Sequence, residues 1–223
     1  MGAALAKRSV MAAVLLAAGE ARRLGGICKP LLELDGVPLV RRSVFALREG
    51  GVEEVVVVLG HCADEVECAL RDLPVTIVRN PDYGRGQIGS LRAGLAALSR
   101  DIDAFMVALA DQPLIEARDI SALVAAYRAR GEGAVLLPCV NGERANPVVF
   151  EAAVRDEVLA GDGDFGCRQW IDRHPARIVR FDTDNEHYRV DVDTPEDLAG
   201  FERRYGRALR VAVVAATSNH AKN

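Results

Sequence analysis

The sequence is short of several things, and each shortage removes a class of function. There is no surplus of positive charge: 28 Lys and Arg stand against 32 Asp and Glu, a formal net charge of −4. The arginines are scattered, so bulk charge does not recruit nucleic acid. None of the five cysteines pairs at CxxC spacing, which excludes a disulfide framework and a zinc site and leaves free thiols. Ordinary free thiols are the preferred reading; Cys28 is the exception to watch, because Lys29 and a cationic loop lie beside it and such a setting can lower a thiol pKa. The four histidines, His61, His174, His187 and His220, show no ligand spacing. No GxSxG or GxxxxGK[ST] is present, against an esterase of that type and a P-loop enzyme; GxGxxG spacing occurs at 84–89 and 161–166, but neither directly follows a strand pattern as a dinucleotide fingerprint does, against a dinucleotide oxidoreductase. No apolar run approaches the length of a membrane span. The opening MGAALAKRSVMAAVLLAAG has the look of a signal peptide, but cleavage at Ala17-Ala18-Gly19 would destroy the loop that follows. It reads as a short tail (1–9) and a first buried strand, in a soluble, cytoplasmic protein without membrane or nucleic-acid partners.

What is present is organised around residues 14–34, VLLAAGEARRLGGICKPLLEL. An apolar run passes into a loop with Gly19, Gly25 and Gly26 and returns to apolar residues. Glycines let backbone N–H groups approach a ligand closely, and Arg22, Arg23 and Lys29 add fixed positive charge. Together they suit a polyphosphate. A strand, a solvated turn and a second strand is the plainer alternative.

Strand and helix patterns then alternate. Residues 39–48 are helical and 54–60 form a buried β-branched strand. Residues 64–70 are helical, 75–78 a strand, 90–98 a helix, 104–109 a strand, 115–130 a helix and 134–137 a strand. That alternation predicts a parallel sheet covered by helices, with ligands at the carboxyl ends of its strands. The opening loop, the glycine loop 84–89 and Asp111 all follow strands and share that edge. The second half is less regular. Asn141-Gly142 reads as a hairpin turn with residues 145–150 returning, residues 151–159 and 165–173 as helices, and residues 177–181 and 188–192 as strands. Thr194 caps a last helix to Tyr205. Residues 10–206 form a single domain, and 207–223 a tail whose SNHAKN end reads as disordered, with 209–215 a candidate extra strand.

Asp111 ends a buried strand, where a carboxylate can hold Mg²⁺ against a phosphate or simply cap a turn. Asp191 and Asp193 alternate about Val192, so on an extended segment both face one metal; helix capping is the alternative for Asp193. Asp162 and Asp164 have part of the spacing of a calcium loop without the rest of that motif, and read first as a turn and a helix N-terminus.

These stretches resemble one family in order along the chain. LAAGEARRLGGICKPLLELDGVPL (16–39), NPDYGRGQIGSLRAGL (80–95), ADQPLI (110–115), RANPVVF (144–150), GDFGCR (163–168) and DVDTPEDL (191–198) are similar to the molybdenum-cofactor nucleotidyltransferases, the MobA-like NTP transferases. LAAG and ADQP are most like the cytidylyltransferase branch, while the spacing from Gly19 to Lys29 resembles the guanylyl branch. The resemblance implies an α/β, Rossmann-like three-layer sandwich with a mostly parallel sheet, of the glycosyltransferase-A or nucleotide-diphospho-sugar transferase type. It implies a Mg²⁺-dependent transfer of a nucleoside monophosphate, CMP from CTP with GTP as alternative, to a pterin-type cofactor phosphate. The catalytic residues would be Arg23, Lys29 and Asp111, and the metal ligands Asp111, Asp191 and Asp193. Leu16, Ala17, Ala18, Gly19, Arg22, Gly25, Asn80, Gly86, Gln87 and Ser90 would bind the nucleotide, and Asn146, Asp164 and Arg168 the acceptor. A molybdenum hydroxylase would be the downstream partner. A sugar- or polyol-phosphate transferase, a non-catalytic carrier of the cofactor and an oxidoreductase are the rival readings.

Overall fold

The computed structural model describes residues 10–211. In chain order the first half holds β1 (Met11–Ala17), β2 (Leu32–Leu34), β3 (Val37–Pro38), α1 (Leu39–Glu49), β4 (Glu54–Leu59), α2 (Ala63–Leu70), β5 (Thr76–Arg79), α3 (Gln87–Ala97), β6 (Ala104–Leu109) and α4 (Ala117–Ala129). The second half holds β7 (Val135–Val140), β8 (Glu143–Arg144), β9 (Val148–Glu151), α5 (Ala152–Ala160), α6 (Cys167–Arg173), β10 (Ile178–Thr183), α7 (Pro195–Tyr205) and β11 (Leu209–Val211).

The main sheet runs β10-β7-β9-β6-β1-β4-β5, with β8 hydrogen-bonded to β7. Strand β1 is central and explains the uninterrupted apolar run of its sequence, because both faces are covered. Its residues alternate between two cores. Met11, Ala13, Leu15 and Ala17 meet Val40 and Val44 of α1, Val66 of α2 and Leu123 of α4. Ala12 and Val14 meet Leu91 and Leu95 of α3, Val154 of α5 and Trp170 of α6. Helices on both faces of one sheet make three layers, as the family resemblance implied. Each fully buried Val or Leu in them contributes about 1.5–3 kcal/mol. Helix α3 lies closest: a Cβ on Gly94 would stand 2.4 Å from Val14 Cγ1 and 2.7 Å from Val58 Cγ2.

The parallel pairs β1–β4, β1–β6 and β4–β5 follow the expected alternation. Strand β7 departs from it. It does not sit beside β6, because β9 lies between them, antiparallel to both. The cause is the hairpin at Asn141-Gly142, where φ is +53° and +81°, the signature of a two-residue primed turn. The chain turns back through β8, breaks at residues 145–147 with a cis Asn146-Pro147 bond, and enters the sheet as β9. The returning strand thus begins at Val148 rather than at 145.

One further expectation changes, and the candidate extra strand at 209–215 is met over its first three residues. Residues 188–192 are not a strand: a 3-10 turn covers Glu186–Tyr188 and no ladder follows, since β10 takes the sheet edge beside β7. Residues 209–211 do not trail away. They pair antiparallel with β2, beside β3, over a small core of Leu32, Leu34, Leu39, Leu114 and Phe201. The rest of the candidate strand, 212–215, and both outer tails lie outside the described residues. Helix α7 begins with the predicted cap: Thr194 Oγ1 accepts from the Asp197 N–H and Asp197 accepts from the Thr194 N–H.

Candidate active site

The sheet order locates the site before any side chain is considered. The chain lays down β1, β4 and β5 to one side and then returns to place β6 on the other. The crevice between the carboxyl ends of β1 and β6 is therefore where strand order reverses, the place where open α/β sheets bind ligands. Leu16 and Leu109 are register partners across it. Both line two adjoining clefts.

The smaller cleft, about 320 Å³, is formed by the opening loop on one side and the start of α3 on the other. Leu16, Ala18, Gly19, Arg22, Gly86, Gln87 and Ser90, all predicted to bind nucleotide, line it. Past Gly19 the loop coils through a short turn, Arg22–Leu24, closed by Gly25 at φ +69°. Gly86, at φ +121°, precedes the first turn of α3, whose free N–H groups carry partial positive charge. Three of the predicted residues do not line it. Ala17 is buried in the helix-covered core, Gly25 shapes the turn, and Asn80 donates from Nδ2 to Ser90 Oγ at 2.9 Å.

At the inner end of this cleft lies Asp111, whose Oδ1 is enclosed without a hydrogen-bond partner. Lys29 Nζ stands 3.4 Å from Asp111 Oδ2 and bonds the Asp193 carboxylate. Arg23 reaches Asp193 at 4.0 Å. Burial pushes the Asp111 carboxyl above its ordinary range, with Lys29 pulling it back and Asp193 pushing it further. Burial likewise raises Asp191, helped by the charges of Asp111 and Asp193. Burial opposes the Lys29 ammonium, but Asp193 and Asp111 together hold its pKa above the usual value. Among the described residues no three acidic, His or Cys side chains converge as a ready metal cage, because Lys29 lies between Asp111 and Asp193. A hard cation still fits: carboxylate oxygens repel one another here, and one of them is buried and unpartnered. Mg²⁺ is commonly held by one or two carboxylates together with substrate phosphates, not by a closed protein cage.

The larger cleft, about 470 Å³, opens on the far side of Leu16 and Leu109. Leu91, Val107, Leu137, Val148 and Phe150 give it aliphatic and aromatic walls, and Asn146, Arg144 and Arg168 its polar groups. Asn146 and Arg168, two of the three residues expected to face an acceptor, line this one cleft together. Asp164 does not: it is in the exposed loop before α6 and lines neither cleft.

Residues 13–178 match the MobA-like NTP transferase domain. The chain belongs to this family. The family makes it a nucleotidyltransferase-type enzyme and agrees with the three-layer fold. The chain is 34% identical over 191 residues to nicotine blue oxidoreductase of Paenarthrobacter nicotinovorans, covering 83% of this chain and 93% of that one. It is 28% identical over 189 residues to molybdenum cofactor guanylyltransferase of Shewanella woodyi, covering 82% and 91%. A nucleotidyl transferase from Methanothermobacter thermautotroptrophicus superposes with a TM-score of 0.72 at 24% identity, covering 87% and 97%.

Sequence reasoning missed several members of this family site. Tyr83 walls the smaller cleft, packed so closely on Gly60 that a Cβ there would lie 2.5 Å from the Tyr83 Cβ. Its place inside the 80–95 motif was the available signal. Glu20 also lines that cleft and bonds Arg22. Arg144 reaches the larger cleft from the hairpin strand β8, and its place at the head of the 144–150 motif was the available signal. The alternative of a reactive Cys28 is not met, and the plain free thiol stands: burial and the neighbouring Cys62 thiol push its pKa up to about 12.

Proposed function

We propose that the protein transfers a nucleoside monophosphate, CMP from CTP by preference and GMP from GTP as the alternative, to the phosphate of a molybdopterin-type acceptor. One observation carries the reading: Asp111, paired with Lys29, lines a glycine-rich cleft that shares Leu16 and Leu109 with a second cleft. A triphosphate in the smaller cleft and an acceptor in the larger one would meet at that boundary. An acceptor phosphate oxygen attacks the α-phosphorus, the new P–O bond forms, and the bond to the β-phosphate oxygen breaks to release pyrophosphate.

The chain's part is to position and to neutralise charge. N–H groups of the opening loop and of the first turn of α3 would hold phosphate oxygens. Lys29, with Arg23 at the rim, would balance charge on the phosphates and the leaving pyrophosphate. Asn146 and Arg168 would orient the acceptor. Asp111 with Asp191 and Asp193 would hold Mg²⁺, which supplies charge neutralisation at the α-phosphate. No protein nucleophile is required.

The test is pyrophosphate release from each nucleoside triphosphate with Mg²⁺ and candidate acceptors: molybdopterin, then sugar and polyol phosphates. Release with CTP and molybdopterin supports the reading. Acceptor binding without release from any triphosphate would support a carrier that passes the cofactor to a molybdenum hydroxylase. The relative named nicotine blue oxidoreductase adds a third arm. Oxidation of a reduced nicotinamide cofactor without pyrophosphate release would move the function to redox chemistry.

A further inference from the structure

Gln112 follows Asp111 directly and is 5% exposed. Its Nε2 donates to the Tyr188 carbonyl at 2.8 Å and reaches the Asn146 carbonyl at 3.4 Å. The Asn146 N–H donates to the same Tyr188 carbonyl at 3.1 Å. These carbonyls belong to two stretches that lack ladder pairing at those points. Asn146 lies in the break between β8 and β9, at the acceptor cleft. Tyr188 opens the irregular run that carries Asp191 and Asp193.

That run is held firmly at its two ends. Upstream, His187 Nδ1 and Asn185 Nδ2 meet the buried Asp119 carboxylate at 2.9 and 2.7 Å, and the Tyr188 hydroxyl donates to the Asp119 carbonyl at 2.8 Å. Downstream, the N–H groups of Asp193 and Thr194 donate to Asp197 at 3.0 and 2.8 Å. Neither anchor connects the run to the end of β6, where Asp111 sits. Lys29 bridges the Asp111 and Asp193 carboxylates at the far end of the run; Gln112 makes the connection at its start, to the backbone of Tyr188, and through the same Nε2 it ties in the acceptor loop. Its Oε1 is enclosed without a partner, which is unfavourable. A thioether of similar length avoids that cost, so the value of the amide lies in the bonds it donates.

We infer that Gln112 is a positioning residue: its amide fixes the Asp191–Asp193 run and the Asn146 loop relative to Asp111. This rests on the transferase reading for its catalytic meaning, since it sets how three carboxylates and the acceptor face one phosphate.

Gln112→Met removes the donor and keeps the volume. Two readouts apply: amide hydrogen exchange by mass spectrometry, and Mn²⁺ affinity in the presence of CTP by electron paramagnetic resonance. Exchange over residues 188–193 should rise about tenfold, the scale of one lost buried hydrogen bond, with β1 and β4 unchanged. Mn²⁺ affinity should weaken by a similar factor. Unchanged exchange at 188–193, or a uniform rise across the chain, would overturn the proposal and leave Gln112 as core filling. If the methionine variant does not fold, Gln112→Asn, whose amide stops one methylene short, carries the same test. If the wild-type protein releases no pyrophosphate, the transferase reading fails, while the exchange contrast still decides whether Gln112 fixes the run.

Discussion

The two clefts that meet at Leu16 and Leu109 are built by opposite means. The smaller has backbone and small residues, Ala18, Gly19, Ala21, Gly84, Gly86 and Ser90, for nearly half of its wall, with the first turn of α3 facing the opening loop. The larger is walled by side chains from β1, α3, β6, β7, β9 and α6. A wall of backbone amides suits phosphates, which are alike in every nucleotide. A wall of side chains can be exchanged residue by residue, and so suits the partner that differs between relatives. The 34% identical oxidoreductase and the 28% identical guanylyltransferase have different names within one fold, which is the outcome such a division allows.

The contrast can be broken or sharpened by mutation. The largest effect belongs to the charge pair at the shared boundary. Asp111→Asn should lower kcat for pyrophosphate release by roughly a hundred- to a thousandfold, the scale of one preorganised electrostatic group. Its fold should persist, since a buried carboxylate with a raised pKa is no structural asset there. Retained turnover would show that the metal lies elsewhere. Next comes Arg168→Gln. Arg168 lines the larger cleft, and among the described residues it has no ion-pair partner. Its loss should raise the acceptor KM about tenfold, the weight of one charge-assisted contact, and leave the triphosphate KM unchanged. An equal rise in both would mean that the clefts do not divide the substrates.

Ser90→Ala acts on the wall of the smaller cleft from behind. It leaves the Asn80 amide without its buried partner, at a cost of about 1–3 kcal/mol. At this chain length each kcal/mol lowers the thermal midpoint by about 2–4 °C, which calorimetry measures. The smallest effect concerns the thiols. Cys28 holds its proton up to about pH 12, so at pH 8 it should alkylate more slowly than the exposed Cys68. Its rate should climb as pH approaches that value, because only the thiolate reacts. Mass spectrometry of timed iodoacetamide reactions would follow both sites, and faster labelling of Cys28 than Cys68 at pH 8 would contradict its burial.

The same division explains what could be read from the sequence. The smaller cleft is made of consecutive residues, 16–22 and 83–90, so its glycines and the apolar run before them were visible as a pattern. Strand β1 was legible because a strand covered on both faces has no polar positions. The larger cleft comes from segments far apart in the chain, and Arg144 reaches it only through the hairpin at Asn141-Gly142. Hairpin chemistry marked that turn, but nothing local said that the returning chain would slip between β6 and β7. The run from Tyr188 to Asp193 alternates like a strand yet finds no free edge to pair with. Its order comes from side chains, Asp119 and Gln112 among them, which no periodicity records. Cys28 failed as a reactive site for a related reason: the charge beside it is local, while the burial that overrides it is tertiary.

On the transferase reading the triphosphate occupies the glycine-rich cleft, with its α-phosphate beside Lys29 and Asp111. A crystal structure with the α,β-methylene analogue of CTP and Mg²⁺ tests this. Phosphate density is expected between Gly19 and the first turn of α3, ending at Asp111, with the larger cleft left for the acceptor. A nucleotide seated among Leu137, Phe150 and Arg168 instead would contradict it.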